Sequence, residues 1–366
     1  PFHQEFQAFF VTADRAFSDV FPLSIPDIEG IYDQRILAQG LVTKGFPDPL
    51  RSDFRLRNTI PWGRTGRLDV QGLAYQGEVP LGSWAFLGAN CFFAHVSMRH
   101  EFFLTGADEQ LPAGDIEYLY QVKDSMHKTL QIAPALFSKI GFGDIDLYFR
   151  WYHEWEYILK SRRLAAGMKF GTYIPTGVKR DNDNPASIPF GGNGHWGAYG
   201  DFQGLWELKE DLTASVMVRA IKRFEKTENM RIPLLTEPVQ YGILQGPVSV
   251  NPGWTFVFNP SVDIAHLRAG LGVKVLYTLV AHLKDEYKDK RTQEQREQFS
   301  SNIPTEFSSW GSEHVTIGAY YDFDTRSECD PLYPKISAYW DIPVDWLVSK
   351  RSARTSCVSL MVGLDF

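Results

Sequence analysis

The chain has 366 residues, of which 44% are hydrophobic and 14% aromatic, a composition that excludes intrinsic disorder. Its net charge of −7 at pH 7 excludes nucleic acid as the main partner, because a phosphate backbone is bound by clustered positive charge. The cysteines Cys91, Cys329 and Cys357 are too far apart for a disulfide framework or a Cys-x-x-Cys metal site. No apolar run reaches the roughly 18 residues of a transmembrane helix. Neither a metal nor a cofactor is predicted.

The first fifty residues show no regular alternation of apolar and polar side chains. We expect residues 1–50 to be a segment apart, and residues 51–366 to form the main domain. The opening PFHQEFQAFF has no basic stretch followed by an apolar core, so it is not predicted to be a signal peptide.

Three weakly alternating stretches follow, at about 53–61, 66–77 and 85–104, and each is predicted to be a strand. The next stretch, 105–142, is predicted to be a long connection. Within it, apolar residues at helical spacing predict a short helix that starts near Asp115.

The clearest strand signals lie in the middle of the chain. In GFGDIDLYFRWYHEWEYIL, apolar residues such as Leu147 and Phe149 occupy one face, and five charged residues occupy the other. In LAAGMKFGTYI the alternation continues, with Met168 and Phe170 on the apolar face. A period of two residues is typical of a β-strand with one apolar and one polar face.

The same period recurs through the second half of the chain. The remaining predicted strands lie at 196–208, 212–220, 254–264, 271–283, 313–324, 334–344 and 355–366. Together with the earlier stretches they predict about twelve strands, and roughly 12 to 16 are compatible with the pattern.

The connections between these strands alternate in length. Short turns, such as 161–163 and 209–211, alternate with long polar connections, such as 177–194 and 226–252. Long loops therefore lie at one end and short turns at the other, as in an outer-membrane barrel. The strands run for about ten to eighteen residues, longer than those of a soluble sandwich and long enough to cross a bilayer when tilted. The sequence thus predicts an all-β fold, an antiparallel transmembrane β-barrel with long extracellular loops and short periplasmic turns.

Aromatic residues gather near the ends of the apolar faces, where amphipathic rings meet a membrane interface. The predicted interface residues are Trp84, Trp155, Trp196, Trp206, Trp254, Tyr321 and Trp340. In such a barrel, residues 1–50 would add strands, plug the lumen or lie in the periplasm.

Two stretches resemble known proteins. The last strand, CVSLMVGLDF, resembles the C-terminal signal of bacterial outer-membrane proteins, which ends on an aromatic residue recognised by the barrel-assembly machinery. The pair GFGDIDLYFRW and AAGMKFGTYIPTG is similar to consecutive strands of outer-membrane channels for hydrocarbons and other organic solutes. The resemblance implies Phe366 as the assembly signal, a location in the bacterial outer membrane after removal of a signal peptide, and a transport role without a stated substrate.

The polar faces of the strands would line the lumen of this barrel. The predicted lumen residues are Asp144, Asp146, Arg150, Glu154, Glu156, Lys169, Asp201, Glu207, Arg219, Asp263, Lys274, Lys284 and Asp322. Charges of both signs suit a hydrated channel, so we expect passive or gated diffusion of small solutes, with membrane lipid around the barrel. The chain is not predicted to be an enzyme.

Two alternatives stay open. The barrel would be non-conducting if these charges neutralised one another across a narrow lumen, and its long loops would then bind a surface partner. A barrel-embedded lipid hydrolase would need a base such as His153 or His314, although no His-x-Ser-Asn-Gly run is present. Assembly into a homo-oligomer is also left open, since no stretch identifies a contact face.

Overall fold

A computed structural model gives the fold of most of the chain. It describes residues 3–16, 33–55, 60, 62–104, 111–134, 136–156, 162–234, 241–268, 270–301, 303, 305, 308–323, 333–348 and 356–365. The predicted assembly signal, Phe366, lies outside these residues.

Alternating side chains make most of the described chain extended. The strands are β1 (His3–Ala16), β2 (Trp62–Pro80), β3 (Ala85–Leu104), β4 (Leu136–Phe142), β5 (Ile145–Glu156), β6 (Arg163–Ile174), β7 (Gly197–Lys209), β8 (Leu212–Arg223), β9 (Lys226–Ile232), β10 (Leu244–Asn251), β11 (Trp254–Arg268), β12 (Leu271–His282), β13 (Glu286–Asp289), β14 (Trp310–Asp322), β15 (Tyr333–Pro343) and β16 (Ser356–Asp365). The helices are α1 (Gln34–Thr43), α2 (Ser52–Arg55), α3 (Ala113–Thr129) and α4 (Gln293–Gln298). Among the residues described, no helix is both long and apolar enough to span a membrane.

Within the described residues, twelve strands close into an antiparallel barrel. Each strand pairs with its neighbour in the order β1, β2, β3, β5, β6, β7, β8, β11, β12, β14, β15 and β16, and β16 pairs back with β1. Closure gives every strand two partners, so the backbone groups of the wall are bonded within the sheet. The prediction of an antiparallel barrel of about twelve strands is confirmed.

Two strand assignments at the N-terminal end differ from the prediction. β1 was not predicted, because in its sequence Phe9 and Val11 alternate in phase with Glu5 and Gln7, so neither face is purely apolar. The predicted strand at 53–61 is wrong where the structure describes it, since Ser52–Arg55 is helical. The two differences cancel in the strand count. β1 belongs to the barrel wall, while the division into domains at residue 50 stays a prediction.

β4 and β5 act as one wall strand interrupted by Gly143 and Asp144. The C-terminal part of β3 pairs with β4, with Phe93 opposite Phe142. The N-terminal part of β3 pairs with β5, with Asn90 opposite Asp146. Between these pairs, β4 and β5 contain one residue more than β3. This extra residue interrupts the wall where β6 ends, and the connection after β6 lies beside β4, with the amide of Val178 donating to the Phe142 carbonyl.

The long connections are gathered at one end, called here the loop end; the opposite end is the turn end. The helices α1, α2 and α3 and the three-stranded sheet β13-β10-β9 form a structure at the loop end that we call the cap. The cap has its own apolar core, in which Leu37, Leu119 and Met126 are at most 2% exposed. The cap strands β9, β10 and β13 lie in stretches that were predicted to be long connections, because these strands are short and their alternation is interrupted by charged residues.

Arg231 joins three connections of the cap. Its buried guanidinium donates to the carbonyls of Leu130 and Asn182 and to the carboxylate of Asp183, at 2.6 to 3.1 Å. Burial is the largest influence on its pKa, which is lowered from the usual value, and Asp183 opposes that effect. Because charge-assisted bonds to a buried group are costly to remove, Arg231 fixes these connections relative to one another.

His127 gives the cap a built-in sensitivity to acid. Its ring lies against Phe102 and Tyr241, at centroid distances of 5.8 and 5.9 Å. Burial and the nearby ammonium of Lys123 lower its pKa from 6.5 to about 4. The folded cap therefore holds the neutral ring in a pH range where the unfolded chain would bind a proton, and its stability rises with pH across that range.

We expect the cap to lose stability as the pH falls from about 6.5 towards 4. Hydrogen exchange of the α3 amides, corrected for intrinsic rates, should show weaker protection at pH 4.5 than at pH 7. The substitution His127→Phe keeps an aromatic ring and should remove most of this difference. His95→Gln, a change at a histidine of the outer wall, should keep it, and an unaltered pH dependence in His127→Phe would contradict the assignment.

Glu313 holds the connection between β15 and β16 against the outside of the barrel. It lies in phase with Ile317 and Tyr321, which are 46% and 41% exposed on the outer face, yet it is only 1% exposed itself. Its carboxylate accepts bonds from the amides of residues 346–348 and from the Tyr277 hydroxyl. The Trp346 ring stacks on Tyr277 at 5.7 Å. A buried carboxylate with several donors makes this contact a specific one.

We expect Glu313→Gln to loosen residues 344–348, because a neutral amide accepts weaker bonds than a carboxylate and adds donors that the site does not need. Trypsin should then cleave the β15–β16 connection of the folded protein at least about tenfold faster. Glu294→Gln, on the exposed face of α4, is the matched control and should leave the rate unchanged. Equal cleavage rates in wild type and Glu313→Gln would show that the contact contributes little.

Candidate functional site in the barrel lumen

The lumen is built from the inward positions of the twelve strands. On most of the strands whose side chains are described, exposed apolar residues alternate with half-buried or buried polar ones, as for Phe170 at 57% and Lys169 at 8%. Because successive side chains of a strand point to opposite faces, the outer wall is apolar and most of the inner wall is polar, with an apolar cluster of Val96, Met98 and Phe137 on the inner face of β3 and β4. The inner wall has two unlike halves.

In the half of the wall from β2 to β8, two tyrosine rings lie flat over glycines of the inner face. A Cβ at Gly88 would lie 2.3 Å from the Tyr148 ring, and one at Gly171 would lie 2.4 Å from the Tyr199 ring. Only glycine therefore leaves room for each ring. The hydroxyl of Tyr148 donates to Glu78, at 2.8 Å, one strand further along.

The same arrangement occurs twice more. The Tyr199 hydroxyl donates to Asp146 at 3.0 Å. The Tyr320 ring covers Gly272, and its hydroxyl donates to Asp263 at 2.7 Å. In all three cases the ring bridges from its own strand, across a glycine of the next strand, to a carboxylate of the strand beyond.

A cation lies over each of these three rings. The Lys169 ammonium is 3.5 Å from the Tyr148 centroid, the Lys335 ammonium is 4.0 Å from that of Tyr320, and the Arg219 guanidinium is 4.5 Å from that of Tyr199. Cation–π attraction is stronger where water is excluded, so these stacks hold positive charge close to the wall.

Ion pairs complete the β2–β8 half. Arg150 pairs with Glu78 at 2.5 Å, and Arg219 pairs with Asp201 at 2.7 Å. These carboxylates are at most 5% exposed in their side chains, so their charges are compensated inside the wall. Removing one partner would leave an uncompensated buried charge, so each of these pairs is costly to break.

Asp144 fastens the connection between β6 and β7 to the interruption in the wall. Its carboxylate accepts bonds from the amides of Gly177 and Gly192, at 3.2 and 2.6 Å, and pairs with Arg223 at 3.1 Å. A side chain at Gly177 would overlap the backbone of Phe190, at 1.9 Å. The carboxylate of Asp144 is thus occupied by contacts that fix the β6–β7 connection at the loop end.

The other half of the lumen contains a cavity of about 490 Å³. It lies between the inner faces of β12, β14, β15, β16 and β1. Its lining residues are Gln7, Lys274, Leu276, Thr278, His314, Thr316, Tyr339, Asp341, Cys357, Ser359 and Met361. Its volume falls within the range of small-molecule sites, and its walls combine apolar groups with a few polar ones, as such sites do.

The structure places most of the predicted lumen residues in the ion-paired half, at the cavity, at the turn end or in the wall beside Tyr320. Asp146, Arg150, Lys169, Asp201 and Arg219 lie in the ion-paired half, and Lys274 lines the cavity. The residues at the turn end are Glu154, Glu156, Glu207 and Asp322, of which Glu154 and Glu207 bind Arg163. Asp263 accepts from Tyr320 in the wall.

The last two predicted lumen residues lie near the loop end. Lys284 follows the end of β12 and is exposed in the connection at the loop end, because the strand stops at His282. Asp144 is buried between the wall and the β6–β7 connection. At Lys284 the alternation in the sequence therefore continues two residues past the end of the strand.

Sequence reasoning missed the tyrosine rings and most of the cavity lining. Tyr148, Tyr199 and Tyr320 alternate in phase with the charged residues that were predicted to face inward. Their phase was therefore a usable signal, since a bulky ring on a polar face suggests a packed lumen. The cavity residues, among them Thr316 and Ser359, carry no local pattern that separates them from an exposed strand face.

The predicted interface aromatics form two groups on the outer wall. Trp84, Trp155, Trp206 and Tyr321 lie near the turn end, and Trp196, Trp254 and Trp340 lie near the loop end. Most of them are 37% to 52% exposed. His153 also lies on this outer face, with its ring 4.7 Å from that of Trp155, whereas His314 lines the cavity.

No family model matches the chain. No curated protein matches it. Among solved structures, the COG4313 outer membrane channel from Pseudomonas putida F1 is similar over 100% of this chain and 95% of its own, with a TM-score of 0.54 and 9% identity. The likeness shows the fold.

Two further structures cover nearly the whole chain with lower scores. The Pseudomonas putida toluene transporter TodX has 11% identity and a TM-score of 0.33, covering 99% of this chain and 88% of its own. A Pseudomonas aeruginosa FadL homologue has 10% identity and a TM-score of 0.38, covering 100% and 90%.

We expect Gly171→Ala to destabilise the barrel by about 1 to 3 kcal/mol, because the new methyl group would overlap the Tyr199 ring and displace it from Asp146. The measurement is the urea midpoint of the detergent-solubilised protein, followed by its heat-dependent mobility in gels. Gly200→Ala, on the adjacent strand, is the matched control, since its Cβ would lie at an ordinary 3.5 Å from Phe170. Equal midpoints for the two variants would contradict the role given to Gly171.

Proposed function

We propose that the chain is an outer-membrane channel through which small solutes diffuse passively. The observation that carries this proposal is the cavity of about 490 Å³ on the inner wall of a closed barrel. A barrel whose lumen was filled only by its own side chains would have no such space. The lining offers both apolar contacts and hydrogen-bonding groups, which suits solutes that are neither ions nor pure hydrocarbons.

The outer wall supports a membrane location. Large apolar side chains such as Leu73, Leu87 and Leu360 are 53% to 63% exposed on it, and aromatic residues border this band at both ends. Exposed apolar surface of this extent is costly in water and is stable in hydrocarbon. The fold shared with an outer membrane channel agrees with this location.

Assembly and orientation follow from the same proposal. The loop end with its cap would face the outside of the cell and the turn end the periplasm, as in other outer-membrane barrels. The C-terminal strand would be recognised by the barrel-assembly machinery. Lipid would surround the outer wall.

Charge in the lumen supports passage of polar solutes. The β2–β8 half carries cations and carboxylates close together, and their fields largely cancel within the wall. Selectivity would therefore depend on the cavity half, where the charges are fewer and face open space.

Conductance across planar bilayers tests the proposal. The purified full-length protein should give discrete current steps in potassium chloride, and silence over many insertions would overturn the channel role. Thr278→Trp, which projects a ring into the cavity, should lower the single-channel conductance by about half or more. Val275→Trp, on the exposed outer face of the same strand, is the matched control and should leave it unchanged.

A further inference from the structure

Lys274 brings positive charge to the cavity without a partner in the described part of the chain. It lines the cavity from the inner face of β12. With the side chains that the structure describes, its ammonium forms no ion pair, hydrogen bond or ring contact. Its cross-strand neighbour is Asp263, whose carboxylate instead accepts the Tyr320 hydroxyl at 2.7 Å. The ammonium is therefore available to a molecule within the cavity.

The other cations of the inner wall differ from Lys274. Arg150 and Arg219 pair with carboxylates, and Lys169 and Lys335 lie over tyrosine rings. Each of these charges is held against the wall by the chain itself. An unpaired ammonium in a partly desolvated space attracts an anion more strongly than one in bulk water, because the effective dielectric constant is lower.

The strand register places further donors and apolar groups around Lys274. Lys274, Tyr339 and Ser359 lie at one level of the wall, on β12, β15 and β16. Leu276 lies one level towards the loop end, and Met361 lies one level towards the turn end. The level that contains the hydrogen-bond donors thus has the apolar side chain of Leu276 on one side and that of Met361 on the other.

Asp341 gives the cavity a polarity. It lies at the level of Leu276, and its carboxylate accepts a bond of 2.6 Å from the Thr316 hydroxyl. A bound anion would be repelled from this side and attracted to the level of Lys274. The negative charge of Asp341 therefore disfavours an anionic group at the level of Leu276 and leaves the level of Lys274 as the place for it.

We propose that the cavity binds small amphipathic organic anions, with the anionic group at the Lys274 ammonium and the apolar part against Leu276 and Met361. The inference rests on the proposed channel function for the route by which the anion arrives, but binding itself does not require conduction. A neutral hydrocarbon of the same size would leave the Lys274 and Ser359 donors without an acceptor, which disfavours it.

Titration calorimetry with the folded, detergent-solubilised full chain tests the inference. The probes are benzoate, benzyl alcohol and benzylammonium, which share a ring and differ in charge. Benzoate should bind at least about tenfold more tightly than either of the others. Equal affinities for the three probes would overturn the inference, and this comparison needs no variant.

Variants then assign the effect to Lys274. Lys274→Met should reduce the affinity for benzoate to that for benzyl alcohol, and Lys274→Arg should retain most of it. Lys335→Met, which removes a cation held over the Tyr320 ring, is the matched control and should change benzoate binding less than about twofold. An equal loss in Lys335→Met, or undiminished binding in Lys274→Met, would overturn the assignment.

The bilayer experiment separates the two proposals. Benzoate binding together with silent bilayers would overturn the channel function and leave the anion site standing. Conducting channels without a preference for benzoate would overturn the anion site and leave the channel function standing.

Discussion

β1 pairs with β16 from His3 opposite Asp365 to Thr12 opposite Ser356, and this pairing joins the two ends of the chain into one wall. An open sheet of this length would expose a row of unpaired backbone groups along each edge, and hydrocarbon offers those groups no partner. Once the wall is closed, every residue of a barrel strand faces either the lumen or the outside. A shift of one residue in any pairing would exchange the two faces. The apolar exterior and the polar interior are thus consequences of closure combined with a period of two.

The interior of a twelve-stranded barrel is too wide to be filled by aliphatic side chains from one wall alone. The chain meets this constraint with rings laid flat on the wall. Each of the three tyrosines covers a glycine, donates to a carboxylate and carries a cation on its inner side, as Tyr148 does with Gly88, Glu78 and Lys169. Rings, carboxylates and cations together satisfy one another without reaching across the lumen. In the β2–β8 half, Tyr148 and Tyr199 therefore line the wall, and nearer the loop end Val96, Met98 and Phe137 of the inner wall pack against Phe190 of the β6–β7 connection. The cavity lies on the opposite side of the lumen.

The barrel was predictable from sequence because its signal is repeated in every strand and needs only local information. The alternation around Leu147 and Phe149 assigns the outer face, and the alternating loop lengths assign the two ends. β1 was not predicted because both faces of its sequence mix apolar and polar residues. The cap was not predicted because its short strands depend on packing between connections that are distant in the chain. The role of Asp144 was equally hidden, since its partners Gly177 and Gly192 lie more than thirty residues away in the chain. Local patterns predict which face a residue occupies, whereas long-range contacts decide what it binds there.

At the loop end, the connections of the β2–β8 half and those of the cavity half are held in different ways. Asp144 and Arg223 tie the β6–β7 connection down onto the ion-paired half, and Arg231 ties the neighbouring connections to it. In the cavity half, by contrast, the described residues of the β15–β16 connection are held against the outer face by Glu313. The same kind of buried carboxylate, accepting backbone amides, thus draws one connection inward and another outward. At the loop end, folded chain therefore lies over the ion-paired half, whereas residues 344–348 lie on the outer side of the cavity half.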